Sequence, residues 1–189
     1  MDFITHLPSL AEHTTIWVIC DRLTKYAYFI ALPTHYIAPS LAQRFSVEIC
    51  RLHGMPRTII SDRDPIFVNT FWRALFKAQG TTLQLSSSYH LQTDDQTKVL
   101  NKGLEAYLRC FTGEHRHNWY KYLHLVELWY NTSHHSAIDI SPFQVLYGRS
   151  PPITIDMLNS PRTEITISDI LQQHTLILHE LKQNLYRTR

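Results

Sequence analysis

The chain has 189 residues, of which 44% are hydrophobic and 18% charged, a balance typical of a globular protein and not of a disordered one. No apolar run reaches the roughly 18 residues that a membrane span needs, and the N-terminus lacks signal-peptide features, so we expect an intracellular protein without a membrane partner. A net charge of +2 does not by itself indicate nucleic-acid binding. The three cysteines lie far apart, which favours buried free thiols over a disulfide framework or a cysteine-built zinc site.

Five short apolar runs, rich in β-branched or aromatic residues, predict strands in the first half of the chain. They cover residues 3–4, 16–20, 26–32, 58–60 and 82–85. Between them, helical spacing places Leu41, Phe45, Ile49 and Leu52 on one face of a helix that ends at Gly54. A second amphipathic helix contains residues 71–75 and ends near residue 80, and residues 86–97 are predicted to form a polar loop.

Helices dominate the second half of the sequence. They are predicted over residues 100–111 and 119–130 and from residue 142 to about residue 148. The prolines at 151 and 152 mark a boundary, so we assign residues 1–150 to one domain and residues 151–189 to a linker and a C-terminal amphipathic helix. The narrow apolar stripe of that helix, residues 168–187, favours docking on its own domain over pairing with a second copy.

The order of these elements predicts the fold class. Three consecutive strands with tight connections favour an antiparallel meander, and the later strands, separated by helices, favour parallel additions to the same sheet. The prediction is an α/β protein of the ribonuclease-H-like fold, with a mixed five-stranded sheet flanked by helices and a C-terminal helical tail.

Acidic residues at strand ends are the candidates for metal ligands. Asp62 follows a short buried strand, at the edge where α/β sheets commonly bind ligands, although a simple turn, with Asp62 or Asp64 capping the next helix, is the alternative. Asp2 is the lone acid of an apolar strand, and a solvated end residue is its alternative. Asp21, after the second strand, is a rival candidate that a structural turn would also explain.

Several motifs, in order, resemble the integrase core of gypsy-type long-terminal-repeat retrotransposons. They are Met1-Asp2-Phe3-Ile4 with Leu7-Pro8, Asp21-Arg22-Leu23-Thr24-Lys25-Tyr26-Ala27, Leu52-His53-Gly54-Met55-Pro56, Ser61-Asp62-Arg63-Asp64-Pro65, Tyr89-His90-Leu91-Gln92-Thr93-Asp94 and Tyr147-Gly148. The resemblance runs from residue 1 to about residue 152, and it implies insertion of element DNA into a chromosome by metal-dependent polynucleotidyl transfer.

The resemblance also implies which residues act in catalysis. The family's two aspartates correspond to Asp2 and Asp62, which would bind Mg²⁺ or Mn²⁺, and its glutamate, with thirty-five residues between it and the second aspartate, corresponds to Lys98. A charged lysine has no acceptor oxygen and brings a positive charge to a cation site, so we expect metal binding to be impaired and the enzyme to be inactive. Glu105 lies two helical turns too far along to replace the glutamate, and Asp95 is a weak substitute.

The same resemblance points the 88–97 loop and the following helix towards DNA. The implied nucleic-acid-binding residues are Tyr89, His90, Gln92, Asn101 and Lys102, with packing inside the protein as the alternative for Tyr89. Leu91 and Asp95 replace the family's proline and glycine, which alters the rigidity of the loop.

The implied partners are the DNA of element ends and of the target, and possible further copies of the chain, with the nucleus as the expected location. A non-catalytic nucleic-acid-binding or assembly module derived from an integrase is the alternative function. A general ribonuclease-H-like nuclease ranks last, because no other complete set of acids can be assembled from the sequence.

Overall fold

The computed structural model describes residues 1–8, 12–62, 64–85, 100–109 and 119–151. They belong to two compact units. The first unit consists of Met1–Ile19 and Ile30–Lys102, and the second of Cys20–Phe29 and Gly103–Arg189. The predicted tail helix, residues 168–187, lies outside the described residues.

All five predicted strands are present. They are β1 (Asp2–Ile4), β2 (His13–Cys20), β3 (Ala27–Pro33), β4 (Thr58–Ser61) and β5 (Thr82–Leu85). The first three form a sheet in the order β1-β2-β3, and β4 pairs with β5 in parallel. The strands and the mix of directions agree with the predicted ribonuclease-H-like arrangement, but in the described residues they form a three-stranded and a two-stranded sheet, so the single five-stranded sheet is shown only in part.

The two groups of strands meet where β1 lies beside β4. β1 pairs antiparallel with β2, so that Asp2 lies opposite Val18. On the other side of β1, the backbone nitrogen of Met1 donates a 2.7 Å hydrogen bond to the carbonyl of Ile60 in β4. This bond, in place of a full ladder, links the three-stranded and two-stranded groups, and it brings the start of β1 next to the end of β4.

The helix after β3 differs from its predicted form. α1 (Ala38–Phe45) continues through a π-helical turn (Ser46–Cys50) into a short α2 (Arg51–His53), and Gly54, with a φ of 75°, ends it as predicted. The prediction that Leu52 shares the buried face was wrong, because its side chain is 51% exposed. A π-helical turn adds one residue to the turn, which rotates every later side chain away from the face expected of a regular α-helix.

An aromatic core fills the first unit between β1, β2 and the helices that cover them. Trp17 and Trp72 are fully buried, and the ring of Phe3 stacks on that of Phe67 with centroids 4.9 Å apart. α3 (Pro65–Val68) and α4 (Thr70–Ala78) supply Phe67 and Trp72. Successive side chains of a strand point to opposite faces, so the packing of Phe3 into this core fixes Asp2 on the other face of β1.

Helices make up most of the described residues in the second half of the chain. Residues 100–109 form α5, followed by α6 (Trp119–Thr132) and α7 (Pro142–Tyr147). α7 begins with a capping box between Ser141 and Gln144 and ends at Gly148 in the left-handed conformation. The helices predicted in this part of the chain are therefore confirmed where the structure describes them, whereas residue 111 falls outside the described residues.

Side chains of α6 bind the backbone of β3 in the second unit. Asn131, which is 2% exposed, accepts a 2.9 Å hydrogen bond from the Ala27 nitrogen and donates a 2.8 Å bond to the Ala27 carbonyl. One turn earlier, Glu127 accepts a 2.8 Å bond from the Phe29 nitrogen. These two side chains satisfy backbone groups that would otherwise be left unpaired on one side of the strand.

The predictions for the cysteines are confirmed in part. Cys20 and Cys50 are free thiols as predicted, but each is partly exposed instead of buried, and Cys110 falls outside the described residues. Of the helices that the structure describes, none combines the length and the apolar character required to cross a membrane.

Candidate metal centre

Asp2 presents a carboxylate whose two oxygens are both held. Its Oδ1 accepts a 2.9 Å hydrogen bond from the backbone nitrogen of Phe3, and its Oδ2 accepts a 2.6 Å bond from the Nδ2 of Asn101. The second bond ties β1 to a residue of α5 that is ninety-nine positions away in the sequence. A bond this short to an ionised acceptor is a strong one, so the Asp2 carboxylate is fixed in orientation.

The two acids after β4, Asp62 and Asp64, have different roles. Asp64 caps α3, because its Oδ1 accepts a 2.9 Å hydrogen bond from the Ile66 nitrogen. Asp62 is half-buried, and among the described residues it accepts one long hydrogen bond, of 3.3 Å, from the Asp64 nitrogen. Of the two candidates for the cap, Asp64 is therefore the residue that caps the helix, and most of the acceptor capacity of Asp62 remains available for another ligand.

Negative charges lie close together at this edge of the sheet. Burial raises the pKa of Asp62 from 3.8 to about 6; the hydrogen bond from the Asp64 nitrogen lowers it, and the charges of Asp2 and Asp64 raise it further. Burial and, to a smaller extent, the neighbouring negative charges disfavour the ionised form of Asp62, and a cation bound nearby would offset that cost. A raised carboxyl pKa beside a second acid is a pattern that functional sites share.

The electrostatic cost at Asp62 predicts a gain in stability for Asp62→Asn without divalent metal. The folded-state pKa lies above the unfolded value, so the penalty is present above pH about 6 and disappears below pH about 4. Because the carboxyl is half-exposed, solvent screening reduces the gain to about 1 kcal/mol at pH about 7.5. Urea unfolding at pH about 7.5 and at pH about 4 measures this gain in the free energy of unfolding.

The control for this comparison is Glu48→Gln, which removes a carboxylate from the exposed side of the π-helical turn. Its stability difference from the unmodified chain should not change between the two pH values. A difference for Asp62→Asn that stays constant with pH would contradict the raised pKa of Asp62.

The chemistry of the donors at this edge suits a hard divalent cation. Two carboxylates and the amide of Asn101 offer oxygen atoms, which are the ligands that Mg²⁺ and Mn²⁺ prefer. The Oδ1 of Asn101 is buried and has no hydrogen-bond partner in the structure as described. Within residues 1–8, 12–62, 64–85, 100–109 and 119–151, no three acids, histidines or cysteines form a metal-binding group, so Asp2 and Asp62 are a pair there and not a triad.

The rival acids have structural partners. Asp21 accepts hydrogen bonds from the Thr24 nitrogen at 2.8 Å and from the Thr24 hydroxyl at 2.7 Å, which confirms the turn that the sequence offered as its alternative role. Glu105 forms a 3.4 Å ion pair with Arg109, one turn further along α5. Neither acid is needed to explain the site at Asp2 and Asp62.

The structure places two of the residues that were predicted to face DNA. Lys102 is exposed on α5, whereas the side chain of Asn101 is half-buried and bound to Asp2. The bond from Asn101 to Asp2 was not predicted. The remaining predicted site residues, Tyr89, His90, Gln92 and Lys98, and the neighbouring Asp95, lie outside the described residues.

Comparison with known proteins gives relatives in one group of mobile elements. No family model matches the chain. The Transposon Tf2-3 polyprotein of Schizosaccharomyces pombe is 32% identical over 154 residues, which is 82% of this chain, and the Tf2-4 polyprotein matches equally well. The chain spans 12% of the length of these relatives.

Three solved structures share the fold at low sequence identity. The magnesium complex of the HTLV-2 integrase catalytic core domain, in a trimeric form, has a TM-score of 0.60 at 10% identity and covers 76% of this chain and 93% of that one. The BIV integrase catalytic core domain has a TM-score of 0.57 at 16% identity, covering 76% and 91%. The simian T-cell lymphotropic virus intasome bound to PP2A regulatory subunit B56 gamma has 0.63 at 14%, covering 87% and 58%. These likenesses confirm the predicted fold class.

Proposed function

We propose, from the premise that this chain is a homologue of the Tf2 retrotransposon polyproteins with the fold of an integrase catalytic core, that it is the integrase core domain of a gypsy-type retrotransposon. The observation that carries the proposal is that Asp2 and Asp62 lie where β1 and β4 adjoin, with burial and, to a smaller extent, the charge of Asp2 raising the pKa of Asp62. Acids on neighbouring strands that converge on divalent metal are part of the arrangement that metal-dependent polynucleotidyl transfer requires.

In this proposal, Asp2 and Asp62 bind Mg²⁺ or Mn²⁺. Divalent metal held by these residues would supply activation of an attacking oxygen and stabilisation of the leaving oxygen of a phosphodiester. The hydrogen bonds from Phe3 and Asn101 hold the Asp2 carboxylate in one orientation, so little reorganisation is needed on metal binding. Asp64 stays on the α3 cap and leaves Asp62 available.

The chain is expected to be catalytically impaired, because Lys98 stands at the position of the third acid. An ammonium in place of a carboxylate removes a ligand and adds a positive charge where cations must bind, so metal affinity falls on both counts. Assays of DNA strand cleavage on the chain and on its Lys98→Glu variant test this part of the proposal.

DNA is the proposed partner, bound by α5 and by the loop before it. Lys102 is exposed on α5, next to the residue that holds Asp2, and its ammonium is suited to a backbone phosphate. Tyr89, His90 and Gln92 are proposed to contact the DNA end from the loop, with Asn101 facing the same site. Action on chromosomal DNA requires a nuclear location, and assembly of several copies of the chain is proposed by analogy with the trimeric form of the HTLV-2 integrase catalytic core domain.

Lys102→Ala is expected to weaken duplex DNA binding and to lower the salt dependence of the affinity. Loss of one phosphate contact reduces the slope of log K against log salt by about 0.9. Fluorescence anisotropy with a labelled duplex, at several salt concentrations, measures both quantities. Lys77→Ala, which removes an exposed lysine from α4, is the matched control. Equal slopes for the two variants would exclude Lys102 from the DNA interface.

A non-catalytic nucleic-acid-binding or assembly module is the second candidate function. The lysine at position 98, in a chain that keeps both aspartates and the fold, favours it. The two functions separate in the same experiments, because a binding module retains salt-dependent DNA affinity whether or not the Lys98→Glu variant cleaves DNA.

A further inference from the structure

The amide of Asn101 is only half satisfied. Its Nδ2 donates a 2.6 Å hydrogen bond to the Asp2 carboxylate, but its Oδ1 is buried and without a hydrogen-bond partner in the described part of the chain. Nearly all buried polar side-chain atoms of native proteins have a partner, so an orphaned oxygen at a functional site requires an explanation.

The surroundings of this oxygen point to a cation as its missing partner. Oδ1 and Nδ2 belong to the same planar amide, and Nδ2 is bonded to the Asp2 carboxylate, so Oδ1 lies close to that carboxylate. The charges of Asp2 and Asp64 also act on Asp62, which is the other acid of the site. An acceptor oxygen among carboxylates gains nothing from another acceptor and is satisfied by a donor or by a metal ion. Asparagine carbonyls are among the oxygen ligands of hard divalent cations.

We propose that Asn101 is a third oxygen ligand of the divalent-metal site formed by Asp2 and Asp62. This inference rests on the proposed function and adds a ligand that the predicted triad does not include. Asn101 lies in the first turn of α5 as the structure describes it, and its amide supplies an oxygen atom, which a charged lysine side chain does not have.

Asn101 is uncharged, which limits how far its oxygen can replace that of a missing carboxylate. A neutral amide contributes an oxygen but no negative charge, so the site has the two carboxylate charges of Asp2 and Asp62 to balance divalent metal. The site therefore binds one divalent cation more readily than the pair that two-metal transfer needs. We therefore expect this chain to bind a divalent cation without cleaving DNA efficiently.

Calorimetric titration of Mn²⁺ into the whole chain tests the proposal. Asn101→Asp is expected to bind Mn²⁺ about tenfold more tightly, because the ligand gains a charge, and Asn101→Ala about tenfold more weakly. Ala106→Asp, which adds a carboxylate to an exposed position of the same helix, should leave the affinity unchanged. If both Asn101 variants bind Mn²⁺ as the unmodified chain does, or both bind equally weakly, Asn101 is not a ligand.

A second readout separates ligation from mere support of Asp2. Water-proton relaxation counts the waters on bound Mn²⁺, and Asn101→Ala is expected to gain one water, because water replaces a lost ligand. An unchanged count would overturn the proposal even if Asn101→Asp does not fold. Asp2→Asn tests the underlying site, since undiminished Mn²⁺ affinity in that variant would refute the proposed function itself and not only the role of Asn101.

Discussion

Asn131→Ala is expected to lower the free energy of unfolding by about 3 kcal/mol, because it leaves a buried backbone donor and a buried acceptor without partners. The amide of Asn131 binds both the nitrogen and the carbonyl of Ala27, as a neighbouring strand would. Ala27 is itself fully buried, so water does not replace the lost bonds without opening the structure.

Two variants on the same helix serve as controls. Glu127→Gln keeps an acceptor for the Phe29 nitrogen and is expected to change the stability by less than about 1 kcal/mol. Thr132→Ala removes a hydroxyl that bonds only to carbonyls of its own helix and should also have a small effect. Urea denaturation followed by circular dichroism measures all three, and a loss below about 1 kcal/mol for Asn131→Ala would show that the β3 backbone finds other partners.

The strands were predictable because each is a short apolar run between turn residues. β5 was predicted at the residues where the structure has it, and β4 extends one residue beyond its prediction. α3 was missed, because a helix of four residues is too short to show a hydrophobic period. Its signal is local: an aspartate that caps the helix, followed by a proline at the first helical position.

Hydrogen bonds between residues that are far apart in the chain could not be predicted from the sequence. The pairing of Asn101 with Asp2 joins residues that no local pattern relates, and it adds a contact within the protein to a residue for which DNA contact stays a prediction. The roles of Asp62 and Asp64 were also undecided, because both acids follow a strand and both suit a cap. Only the geometry, with Asp64 bonded to Ile66, separates them.

Lys98→Glu is expected to raise metal-dependent DNA cleavage by about a hundredfold or more. The change restores a carboxylate ligand and removes a positive charge from the site, and metal stabilisation of a phosphoryl transition state is worth several kcal/mol. Lys98→Gln separates the two causes, because it removes the charge without restoring the carboxylate. We expect Lys98→Gln to recover only a small part of the gain.

The most direct test of the Asp2–Asp62 site and its defect at position 98 is a disintegration assay with Mg²⁺ and with Mn²⁺. The unmodified chain, Lys98→Glu, and Lys98→Glu combined with Asp62→Asn are compared on one branched DNA substrate. We predict that only the Lys98→Glu chain resolves the substrate, and only with metal. Equal activity of the unmodified chain, or activity that survives the loss of Asp62, would contradict the account.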